Sequence, residues 1–180
     1  GERDTVTDLM AWNADGTRMP YRMHTEYLRR LFLANELAYG RYWVDARPIA
    51  LSDIRTPIFA VATETDHIAP WHSVYRIHLL TDTDVTFALT RGGHNAGIVS
   101  EPGHPRRHFR LSTTGSEDPY RDPDVWLDKA ERHEGSWWRA WHAWLAEHSG
   151  ARRSMPPEVG NTEAGYPPLE PAPGSYVFER

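Results

Sequence analysis

Cysteine is absent from the 180 residues. That excludes disulfides and thiolate metal sites, fits a reducing cytoplasm, and removes the commonest covalent nucleophile after serine. No run of about 18 apolar residues occurs, so no transmembrane helix is expected. The first residues are polar and charged, so no signal peptide is expected either. Positive charge is not in excess, the net charge being −5. Arginine pairs at 29–30, 106–107 and 152–153 are scattered and read as solvated faces, which leaves nucleic acid and anionic membranes poorly supported as partners. Hydrophobic residues reach only 39%, low for a self-sufficient α/β core, although the chain holds 8 tryptophans. A nucleophile elbow is missing too: Ser116 and Ser136 follow glycine, but neither has a glycine two residues on or a strand before it. No internal repeat is present.

What the chain does have is concentrated in residues 56–99. Two apolar runs, 57–62 and 85–89, are rich in Val, Ile, Phe and Ala. Residues 71–80 between them have helical spacing. Strand, helix, strand predicts a βαβ unit with parallel strands. Asp66 falls just past the first strand and His94 just past the second, 28 positions later. In open parallel sheets, chemistry gathers at the carboxyl ends of the strands. An acid and a histidine there form the orienting and base members of a nucleophilic triad. Gly92 and Gly93 let the second loop turn sharply and approach substrate. The plainer alternative is that Asp66 caps the helix that begins near Trp71.

Elsewhere the patterning is less pointed. A helix is predicted from Pro20 to Leu37, with Met23, Tyr27 and Leu31 four apart and Gly40 as its stop. Its wide apolar arc is expected to pack within its own protein, with an active-site cap or a subunit contact as alternatives. Residues 41–51 read as a hairpin, with strands at 42–44 and 49–51 around a turn at 45–48. Residues 100–124 are dense in Pro, Gly and charge and are expected to be a long loop with one short element near 109–111. Residues 125–130 form a short helix. Ser136 caps a further helix at 137–148, whose stripe of Trp137, Trp141, Trp144, Leu145 and His148 is expected in the core. The proline-rich end disfavours helix, with Tyr176-Val177-Phe178 as a strand or anchoring tip. Ala14-Asp15-Gly16 is a turn signal, and residues 1–8 are expected to fray. Two parallel strands are too little sheet for a doubly wound domain, so the chain is expected to be the carboxyl-terminal part of a larger protein. A metal reading is weak: His104 and His108 are four apart, but Pro105 lies between them and no ligand spacing stands out.

The chain resembles the carboxyl-terminal part of class I polyhydroxyalkanoate synthases. The matching segments are WNADGTRMP (12–20), EYLRRLFLANEL (26–37), SDIRTPIFAVATETDHIAPW (52–71), GGHNAGIVSEPG (92–103), HEGSWWRAWHAWL (133–145) and EPAPGSYV (170–177). The resemblance implies an α/β fold, the carboxyl-terminal portion of an α/β-hydrolase with its parallel βαβ unit. Residues 1–44 then end a helical cap subdomain, 45–150 belong to the hydrolase core, and 151–180 are a proline-rich tail. It implies a Cys–His–Asp triad that polymerises (R)-3-hydroxyacyl-CoA to polyester with release of CoA. Asp66 and His94 match the triad acid and histidine. The nucleophilic cysteine lies upstream, in a part of the protein that becomes the first partner. No cofactor and no metal are implied, since acyl-CoA is the substrate. His67, Trp71 and Asn95 are candidates for lining the substrate pocket, and Asn95 stands where the best-known members carry an apolar residue. A homodimer of the full enzyme, a polyester granule as surface partner and a cytoplasmic location at that granule follow from the same resemblance. Two alternatives stand beside it: an esterase or depolymerase on the same fold, and a non-catalytic module that binds a partner through its Trp-rich helix and proline tail.

Overall fold

The computed structural model describes residues 18–151, 154–155, 158–171 and 174–175, together with 10, 14 and 16. Residues 1–8, Asp15 of the Ala14–Gly16 turn, and the Tyr176-Val177-Phe178 tip lie outside them. Two units are distinguished, Gly1–Trp144 and Leu145–Arg180.

The first unit is built on a four-stranded mixed sheet whose strands lie in chain order, residues 58–63, 85–90, 108–114 and 131–134. β3 is Ile58–Thr63 and β4 is Val85–Thr90, parallel and in register from Ile58↔Val85 to Thr63↔Thr90. Between them the helical stretch is split into α2, Trp71–Tyr75, and α3, Ile77–Leu80, where Arg76 leaves helical ψ (−8°). β4 is buried along its whole length, as expected of a central strand covered on both faces. Phe87 and Leu89 point to one face. There they form a core with Ala62, Trp71, Tyr75, Trp126 and Ala130. On the other face Phe59 meets Trp137 and Trp144 at ring separations of 6.2 and 5.8 Å. Trp137 immediately precedes α5, Trp138–Glu147, and Trp144 lies within it. The result is a mixed α/β layer arrangement with chemistry-bearing turns at one end of the parallel pair.

Several expectations need correction. Residues 100–124 are not one long loop. The short element expected near 109–111 is a seven-residue strand, β5, His108–Thr114, antiparallel to β4, and an unforeseen strand, β6, Glu131–Glu134, pairs with β5. The sheet therefore has four strands and not two. Only Phe109 and Leu111 of β5 are large and apolar, too few to mark its full length. It is held by main-chain pairing and by side-chain bonds: Thr113 to Thr86 at 2.8 Å, Ser112 accepting from Trp126 Nε1 at 2.7 Å, and Arg110 donating to Ala130 O at 2.9 Å. α4, Pro123–Lys129, starts earlier than expected because Asp122 accepts from the Asp124 amide at 3.0 Å and Pro123 takes the first turn.

The first helix, α1, runs Tyr21–Glu26 and continues in wider π turns through Leu33, stopping short of Leu37. Pro20 is its cap and not its first turn. Asn35 takes φ 48°, a left-handed geometry that asparagine tolerates and that ends the helix. No residue of this helix is buried among the described residues, and Tyr21, Met23, Phe32 and Leu33 are all well exposed, so this chain by itself leaves the apolar arc uncovered. The hairpin pairs β1, Tyr42–Val44, with β2, Arg47–Ile49. Its turn is two residues long, not four. Asp45 and Ala46 have φ 46° and 60°, the mirror-image turn whose twist matches its strands. In α5 the cap at Ser136 is present, its hydroxyl accepting from the Trp138 amide at 3.1 Å. Only part of the aromatic stripe reaches the core: Trp137 is buried, whereas Trp141, Leu145 and His148 are exposed.

In the second unit, a turn closed between Asn161 and Tyr166 by main-chain bonds of 2.6 and 2.8 Å is the main ordered feature after α5. Among the described residues no helix is long and apolar enough to cross a membrane.

Candidate active site

The turns after β3 and β4 are tied to each other before any side-chain chemistry is considered. The Glu64 amide donates to Thr90 O at 2.9 Å, extending the parallel ladder. Beyond it, Thr65 donates twice to Gly92 O, from its amide at 3.1 Å and its hydroxyl at 2.8 Å. The next residue on one side is Asp66, and two residues on along the other is His94. The imidazole Nδ1 of His94 lies 2.9 Å from Asp66 Oδ2. The aspartate side chain is 8% exposed and the histidine side chain 46%, so the acid is sheltered while the imidazole reaches solvent.

Asp66 uses its two oxygens separately. Oδ1 accepts from the amides of Ile68 and Ala69, both at 2.8 Å, closing the turn in which it sits. Oδ2 is left for His94. Asp66 is thus a turn-closing residue and an imidazole partner at once. It does not cap α2, whose cap position is Pro70 without any side-chain bond. Burial pushes the Asp66 carboxyl up, but the Ala69 amide, the His94 imidazole and the Ile68 amide outweigh it and hold the group at about 2. It is a carboxylate at any physiological pH. Such an anion favours the tautomer with the proton on Nδ1 and leaves Nε2 free to accept one.

The glycines of the second loop divide their work. Gly92 has φ 130°, and a Cβ there would meet Gly97 Cα at 2.7 Å. Gly97 is packed so tightly on Thr63 that a Cβ would lie 2.5 Å from its methyl. Gly93, by contrast, has ordinary room, its nearest neighbour being Thr65 Oγ1 at 3.9 Å. The sharp turn therefore depends on Gly92 and Gly97.

The other sequence candidates fall in different places. His67 is exposed in the turn beside Asp66. Asn95 is half-buried, and its carbonyl accepts from the amides of Ile98 and Val99 at 3.1 and 2.9 Å. Trp71 belongs to the core, its ring 6.2 Å from those of Tyr75 and Trp126. His104 and His108 go to separate partners, Pro105 O and Glu64 Oε1. One half of the Arg106-Arg107 pair is no solvated face. Arg107 donates from Nη1 to Arg91 O at 3.1 Å and from Nη2 to Ala96 O at 2.8 Å, bracketing His94 from both sides. No local pattern marks it, because β5 alone delivers it to that loop. A carboxylate-held imidazole with its outer nitrogen open can take a proton from a thiol, hydroxyl or water brought within reach. The chain itself carries no cysteine to serve as the attacking group.

No family model matches the chain. Individual proteins do. Poly(3-hydroxyalkanoate) polymerase 2 of Ectopseudomonas oleovorans is 39% identical over 181 residues, which cover 100% of this chain and 31% of that protein. The poly(3-hydroxyalkanoate) polymerase subunit PhaC of Cupriavidus necator is 38% identical across 98% of the chain and 29% of its own length. That of Rhizobium meliloti is 40% identical across 100% of the chain and 28% of its own length. The chain thus spans under a third of each of these relatives. By sequence the chain is similar, over nearly its whole length, to the carboxyl-terminal part of these longer poly(3-hydroxyalkanoate) polymerases.

Proposed function

We propose that the chain is the carboxyl-terminal segment of an enzyme that polymerises (R)-3-hydroxyacyl-CoA to polyester and releases CoA. In this reading Asp66 and His94 are two members of a Cys–His–Asp triad on an α/β-hydrolase fold, and the cysteine comes from the part of the protein that precedes them. The observation that carries the reading is the 2.9 Å contact between His94 Nδ1 and an Asp66 oxygen that no other group uses. Two features support a larger assembly. Among the described residues β3 is the outermost strand of its sheet, with one edge open to a further strand. The apolar face of α1 is exposed, as for the end of a cap that other parts of the enzyme cover. The relatives' names speak of polymerases of poly(3-hydroxyalkanoate), and their extra length would supply the nucleophile.

The steps follow from the dyad. His94 Nε2 takes the proton of the cysteine thiol, and the thiolate attacks the thioester carbonyl of the acyl-CoA. CoA leaves as its thiol, receiving the proton from the imidazolium, and the acyl group stays on the enzyme as a thioester. His94 then accepts the proton of a 3-hydroxyl, from the next monomer or the chain end. That oxygen attacks the enzyme thioester, forming the ester bond and restoring the thiol. Asp66 keeps the imidazole in one tautomer and stabilises its cation throughout. No cofactor is required. A polyester granule, a dimeric full enzyme and a cytoplasmic setting at the granule surface complete the proposal.

In the intact enzyme, His94→Ala and Asp66→Asn each lower CoA release by at least about 100-fold. Near-normal release by both would overturn the assignment. The same dyad, with His94 open to water, would also serve an esterase or depolymerase. Supplying hydroxyacyl-CoA separates the two, since polymer accumulates in one case and free acid in the other. A purely non-catalytic module has no need of the Asp66–His94 contact.

A further inference from the structure

The loop that carries His94 is itself a single helical turn. Gly97 N donates to Gly93 O at 2.9 Å, and Ile98 N and Val99 N donate to Asn95 O at 3.1 and 2.9 Å. A force applied at Ile98, four residues beyond His94, is therefore passed to the imidazole through a closed turn. Ile98 O is the acceptor of two indole N–H groups at once: Trp138 Nε1 at 2.9 Å and Trp137 Nε1 at 3.2 Å. Two residues further on, Ser100 O accepts from the hydroxyl of Ser136. That same hydroxyl accepts from the Trp138 amide, so the cap of α5 and the clamp on the loop are one group. Ser100, Ser136 and Trp137 are buried and Ile98 and Trp138 half-buried, so the Ser136–Ser100 bond is made away from competing water and the two indole bonds are partly sheltered from it. Trp137 also stacks on Phe59 of β3, the strand that leads to Asp66. The Gly-Ser-Trp-Trp turn at 135–138 thus grips the histidine loop and rests on the aspartate strand.

We propose that Trp138, backed by Trp137 and Ser136, is a positioning residue: its indole N–H holds the Ile98 carbonyl and so keeps the His94 imidazole against the Asp66 carboxylate. This rests on the reading of His94 as the general base. Trp138 touches no reacting atom; its effect passes through the turn. Double donation to one carbonyl restrains the loop in two directions, where a single bond would allow it to swing.

The test is made in the intact enzyme with Trp138→Phe, which keeps an aromatic ring and removes the donor. The expected result is a fall in kcat of about ten-fold with KM changed less than about two-fold, because substrate binding is untouched and only proton-transfer geometry is lost. In an Asp66→Asn background the same substitution lowers kcat by less than about two-fold, since the contact it protects is already broken. Trp141→Phe, on the same helix but with an exposed ring, leaves kcat unaltered. If Trp138→Phe yields no folded enzyme, Trp137→Phe removes the second donor and is read in the same way. Wild-type kcat in the donor-less variant, while His94→Ala is inactive, overturns the positioning role alone. Equal losses with and without the Asp66 carboxylate overturn it too, since they mark a general structural effect. Turnover retained by His94→Ala removes the functional reading and this inference together.

Discussion

Asp66 shows how one side chain serves folding and chemistry with different atoms. Its Oδ1 closes the turn on the amides of Ile68 and Ala69, and its Oδ2 meets His94. Because these partners favour the anion, the carboxyl lies at about 2 in place of the ordinary 3.8. The sign follows directly: a depressed folded value contributes stability above the ordinary one, and that contribution is lost as the pH falls from about 3.8 towards about 2. Asp66→Asn should flatten the fall in stability across that window. Urea midpoints measured from pH 5 down to pH 2 on both proteins check this, and parallel curves would show that Asp66 is not a source of the acid sensitivity. Asp66 and His94 were both readable from the sequence because the loops that present them follow strands of strongly apolar residues. Arg107 was not, since its role depends on the carbonyls of Arg91 and Ala96, which nothing in its own neighbourhood predicts.

Among the elements, the strongly apolar strands matched expectation more closely than the strands of low apolar content. β3 and β4 emerged within a residue of their predicted bounds, whereas β5 was anticipated only as a short element near 109–111 within a loop. The hairpin was expected from its aromatic and aliphatic flanks, but its turn was placed two residues too long. Asp45-Ala46 adopts left-handed geometry at both positions, which alanine reaches only at a cost of about 1–2 kcal/mol. Ala46→Gly should therefore stabilise the hairpin by up to about 1 kcal/mol, after allowing for the greater freedom of glycine when unfolded. Slower amide exchange within β1 and β2 would register the gain; unchanged or faster exchange would show that the turn is not strained. The break between α2 and α3 has the same character. Trp71 and Tyr75 are drawn into the core by Trp126 and Phe87, and the helix bends at Arg76 to follow them.

For the molecule as a whole, the proposed reading gives the 180 residues two members of a proton-transfer system, and their sequence holds no thiol to be activated. The isolated chain should release no CoA from (R)-3-hydroxyacyl-CoA above the uncatalysed rate. A thiol-reactive dye read over hours tests this, and steady release would place a nucleophile among its own residues. The order of an acid and a histidine 28 positions later, each after an apolar run, was enough to predict that the two would share one end of a parallel pair. Spacing constrains which strand ends are neighbours because β-strands and crossovers have limited lengths. It says nothing about what lies beside those ends from distant parts of the chain. The delivery of Arg107 by β5, the seating of two indoles on Ile98 O, and the exposure of the α1 apolar face came from tertiary structure alone. Each depends on long-range packing, where the partner, and not the local residue pattern, sets what a side chain does.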